Sequence, residues 1–114
     1  MKKFDFIANN GVEYLVRTLG PGDKYGKDDK LTFFSEIPVI EFHHKGGNNL
    51  ISSYSFSVFL NVQNGILLEG SEPKYSLNEE DMVVLNNKLD ELYNQNYLKI
   101  FKELGENKIK KNRI

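Results

Sequence analysis

A chain of 114 residues supports one domain with a single core, and 39% hydrophobic with 27% charged residues describes a folded chain rather than a disordered one. The lack of cysteine removes disulfides, thiolate metal sites and thiol nucleophiles, and a net charge of −1 gives no overall basic footprint for general nucleic-acid binding. No apolar run approaches bilayer length, and Asp5 with Asn9-Asn10-Gly11 interrupts any leader-like segment, so a cytoplasmic protein without membrane association is expected.

KFDFIA, NNG and VEYLVRTL predict a β-hairpin. Phe4 and Phe6 alternate with Asp5, Val12, Tyr14 and Val16 alternate with Glu13 and Arg17, and Asn10-Gly11 suits the positive φ of a tight turn. GPGDKYGKDD follows. It is not a phosphate loop, because Gly20 to Gly26 is one residue too long for that spacing, Asp28 stands where a Ser or Thr should reach magnesium, and LTFF follows instead of a helix. Its aspartates also miss the alternate positions of a calcium loop. The stretch is expected to be a connection whose Asp23, Lys24, Tyr25 and Lys27 offer a contact surface.

LTFF and VIEFHH, separated by Ser35-Glu36-Ile37-Pro38, predict two neighbouring strands, and Lys45-Gly46-Gly47-Asn48-Asn49 a turn. In SYSFSVFLNV the residues Tyr54, Phe56, Val58, Leu60 and Val62 recur at period two, favouring a strand over a helix through Ile51, Tyr54, Val58 and Val62. Asn64-Gly65 and ILLEG would then continue as a second hairpin. Ser76 and Glu79 have capping-box spacing, and Met82, Leu85, Leu89, Leu92 and Tyr93, then Tyr97, Ile100, Phe101 and Leu104, form one apolar stripe. A helix over 77–104 is predicted, with Asn94-Gln95-Asn96 a place to bend and Gly105 its stop. The expected fold is α+β: a mainly antiparallel sheet of about five strands with a long C-terminal helix on one face, residues 1–105 forming the domain and 106–114 a basic tail.

Four groups of residues are candidates for function. Glu41 and His43 share a strand face and could pair as orienter and general base of a small hydrolase or nuclease, while His44 points the other way, so the two imidazoles cannot share a metal without a bulge. Ser52, Ser53, Ser55 and Ser57 lack the turn that exposes a nucleophile. Tyr14, Arg17, Lys24, Tyr25 and Lys27 mix rings and cations, but Asp23, Asp28 and Asp29 interleave with them. Only the basic tail would serve nucleic acid, and direct binding is not expected. The seven acids Glu69, Glu72, Glu79, Glu80, Asp81, Asp90 and Glu91, against Lys74 and Lys88, form the strongest feature, a face suited to a basic or nucleic-acid-handling protein. No metal or cofactor is expected, and an interaction protein is favoured over an enzyme.

The succession GDKYG, PVIEF and SSYSFSVFL resembles small accessory proteins carried by phages and plasmids. The thirteen asparagines and the predominance of lysine over arginine agree with AT-rich coding sequence. The resemblance implies a protein that binds and inhibits a host or defence component, in the manner of anti-CRISPR proteins.

Overall fold

The computed structural model describes residues 1–46, 49–70 and 72–93. The first hairpin forms as its alternation predicts. β1 (Lys2–Ile7) and β2 (Glu13–Leu19) run antiparallel, with Phe4 opposite Val16 and Phe6 opposite Tyr14. Its turn closes through Ala8 N–H to Val12 O at 3.0 Å and Gly11 N–H to Ala8 O at 2.9 Å. Gly11 supplies the left-handed φ of 89°.

Residues 20–33 are a connection with structure of its own. β3 (Lys24–Tyr25) pairs with β4 (Leu31–Thr32), so LTFF folds back on the loop before it instead of lying beside VIEFHH. The neighbours of β5 (Val39–His44) are β2 and β6 (Leu50–Ser55), giving an antiparallel sheet of order β1-β2-β5-β6. Among the described residues the sheet thus has four strands rather than about five, accompanied by two short ribbons.

The period-two reading fails after Ser55. There the chain turns into α1 (Phe56–Phe59), with the Ser55 hydroxyl accepting from Val58 N–H at 3.4 Å and Phe56 N–H bonded to Pro38 O at 2.8 Å. Phe56, Phe59 and Leu60 are buried while Val58 is 52% exposed, a helical spacing that overrides the alternation. The hairpin expected from Asn64-Gly65 also takes another partner. β7 (Ile66–Leu67) pairs with β8 (Ser76–Leu77), and Leu68 N–H bonds to Tyr75 O at 2.7 Å.

The helix begins later than expected. Ser76 lies in β8, and the reciprocal cap is made by Asn78 and Asp81: Asn78 N–H donates to Asp81 Oδ2 at 3.1 Å and Asp81 N–H to Asn78 Oδ1 at 2.8 Å. The described helix, α2, covers 79–93, about fifteen residues. Its expected continuation to residue 104, the bend at 94–96 and the tail 106–114 lie outside the described residues.

α2 places Met82, Leu85 and Leu89 against the sheet face that carries Phe6, Tyr14, Val16, Ile40 and Phe42, with Phe56 and Phe59 completing the core. Fully burying side chains of this size contributes roughly 1.5–3 kcal/mol each. Alternation turns Lys3, Asp5, Arg17, Glu41, His43 and Ser53 to the opposite face. Among the described residues no helix is long and apolar enough to cross a membrane.

Candidate functional site

Strand geometry brings Glu41 and His43 together as their spacing predicts. His43 Nε2 stands 3.0 Å from Glu41 Oε1, and Arg17, opposite Glu41 on β2, brings Nε within 4.0 Å of the same oxygen. A carboxylate between an imidazole and a guanidinium suits a structural ion cluster. His43 is only 7% exposed, and among the described residues no serine hydroxyl is hydrogen-bonded to it. His44 lies on the other face, its Nε2 2.8 Å from the Tyr75 hydroxyl and its ring 5.1 Å from that of Tyr75. The adjacent imidazoles therefore diverge. Among the described residues no three metal-ligating side chains converge.

The loop candidates separate into structural and exposed groups. Asp23 accepts from Gly20 N–H and from the Met1 ammonium, each at 2.7 Å. Burial pushes its carboxyl up, but these two bonds outweigh that and hold the pKa below its ordinary value. Tyr25 stacks edge-on against Phe33 at 6.3 Å, while Lys24 and Lys27 are exposed.

The acidic residues differ in their surroundings. Asp81 is only 4% exposed: besides capping α2 it accepts from Asn9 N–H at 3.0 Å, so it ties the helix to the first hairpin instead of facing a partner. Glu80 accepts from Asn9 Nδ2 at 3.1 Å, Glu72 pairs with Lys74 at 3.4 Å, and Glu91 pairs with Lys88 at 4.0 Å. Tyr75 beside Lys74, with Glu72, raises the ammonium above its ordinary pKa. Glu69 is half-buried. Glu79 and Asp90 make no ion pair with a described residue. Three turns of helix separate them, so they share a stripe of α2 with Val83 between them.

Sequence reading missed Val83 and its neighbour Val84, each 55% exposed. Their signal was available: two valines on α2 fall off the stripe formed by Met82, Leu85 and Leu89. Compared with known proteins, the chain matches no family model, no curated protein and no solved structure.

Proposed function

We propose that the chain is a non-enzymatic protein-binding accessory protein, an inhibitor from a phage or other mobile element that docks on a basic, nucleic-acid-handling protein of a host or its defences. The observation that supports this reading is a stripe along α2 where the exposed, apolar Val83 stands between the exposed Glu79 and the half-buried Asp90. A desolvated apolar centre supplies contact energy, and flanking carboxylates steer a basic partner. Glu80 and Glu91 add further carboxylates to the same helix, Glu91 beside Lys88. The test is co-purification from a bacterial host. A stoichiometric basic partner is expected at low salt, weakened about tenfold by Glu79→Lys with Asp90→Lys and by added salt. A chain that retains no partner, or one held equally well by the reversed variant, counts against the reading.

The 3.0 Å contact between His43 and Glu41 favours a second reading, a small hydrolase or nuclease with His43 as base and Glu41 as its orienter. Phosphodiester or ester cleavage abolished by His43→Ala, with folding intact, would establish it; activity surviving that change would remove it.

A further inference from the structure

Among the described residues β1 is an edge strand, and its outward hydrogen-bonding groups can be assigned residue by residue. Ala8 N–H bonds to Val12 O, and the register that pairs Phe6 with Tyr14 and Phe4 with Val16 continues from it. Even-numbered residues of β1 therefore exchange hydrogen bonds with β2, and the N–H and C=O groups of Lys3, Asp5 and Ile7 point away from the sheet. Among the described residues no strand pairs with them. Beside this edge, between β1 and α2, runs a groove of about 430 Å³ lined by Phe4, Phe6, Val84, Lys88 and Glu91 among others. Lys2 does not guard the edge, because its ammonium is turned onto α2, bonded to Leu92 O and 4.5 Å from the centre of the Tyr93 ring.

We propose that β1 is the contact through which two copies of this chain form a two-fold dimer, pairing antiparallel about Phe4 into one continuous sheet. Only residues with outward groups can exchange hydrogen bonds, so odd-numbered positions must meet odd-numbered positions across the axis. Three such registers overlap most of the strand. One sets Lys3 against Lys3 and another Asp5 against Asp5, both like-charge pairs that destabilise a sheet. The register centred on Phe4 sets Lys3 opposite Asp5 of the second copy, and Asp5 opposite its Lys3. Among the described residues Asp5 pairs only with the exposed Lys45, at 3.5 Å through Oδ2. At the axis Phe4 meets Phe4 at a non-hydrogen-bonded position, where cross-strand side chains approach closest, and the two rings enter the grooves. Lys88, 5.8 Å from the centre of the Phe4 ring and 4.0 Å from Glu91, places opposite charges at the groove where the two helices would meet. The contact leaves the Glu79–Val83–Asp90 stripe free and does not depend on its role.

Sedimentation velocity of the full chain across a concentration series tests the proposal. A reversible dimer is expected. Lys3→Asp and Asp5→Lys should each raise its Kd about tenfold or more, since symmetry converts two attractive pairs into two repulsive ones. The combined Lys3→Asp/Asp5→Lys exchange should restore dimerisation. Asp5→Pro removes an outward N–H while sparing every β1–β2 bond, so it should give a monomer with unchanged far-UV circular dichroism. A chain monomeric at every concentration overturns the proposal, including one that captures a foreign peptide on this edge. So does a dimer indifferent to Asp5→Pro, or single reversals that the exchange fails to rescue.

Discussion

Tyr14 sits at 0% exposure with no hydrogen-bond partner for its hydroxyl among the described residues. Burial, then the nearby Asp81 and Tyr75, push its pKa from 10.0 up to about 12. An unfolded tyrosine ionises first, so the stabilisation from keeping this phenol protonated is complete below pH 10.0 and is lost as the pH rises toward about 12. Tyr14→Phe removes an unsatisfied polar atom. It is expected to stabilise the fold by about 1 kcal/mol at neutral pH and to flatten the alkaline loss, both measured by urea unfolding across pH. Gly65 gives the opposite result. Its φ is 90°, and a Cβ there would stand 2.5 Å from Leu77 O, where the chain crosses β8. Gly65→Ala should cost at least about 2 kcal/mol, whereas Gly70→Ala, which meets nothing within 4 Å, should be close to neutral in the same assay.

α2 depends on its first turn, because Asp81 satisfies both Asn78 N–H and Asn9 N–H. Asp81→Ala should lower the unfolding free energy by about 1–2 kcal/mol, and the loss should persist at high salt since hydrogen bonds rather than surface charge carry it. At α1, Phe59→Ala should cost about 3–5 kcal/mol and Val58→Ala less than about 0.5 kcal/mol, in thermal or urea unfolding. A strand running through residue 60 would require the reverse order. These elements also show what a lone sequence discloses. The hairpin at 2–19 and the apolar stripe of Met82, Leu85 and Leu89 were readable because periodicity there reflects one unbroken face. At 56–60 period two and period 3.6 both fit a run of alternating apolar residues. The Ser55 cap and the Pro38 carbonyl decide between them through a contact that sequence spacing does not reveal.

On the scale of the whole molecule, the ribbon at 20–33 contributes nothing to the buried cluster that joins sheet and helices among the described residues. Its base is already closed, with Phe33 N–H bonded to Asp23 O at 2.7 Å and Gly22 N–H to Phe33 O at 2.9 Å. Replacing residues 24–32 by a tight turn should leave the urea midpoint and near-UV circular dichroism of the domain nearly unchanged. The candidate sites were only partly legible for a related reason. Glu41 with His43 was visible because strand alternation alone joins them, whereas the withdrawal of Asp81 from the acidic face required knowing that Asn9 comes to meet it. Asn9 and Asp81 stand 72 positions apart in the chain. A ribosome extruding this polypeptide therefore releases both strands of the opening hairpin long before the residue that fastens their turn has been translated. The aromatic side of that hairpin waits incompletely covered until residues 78–89 emerge, which exposes the nascent chain to chaperones and to self-association.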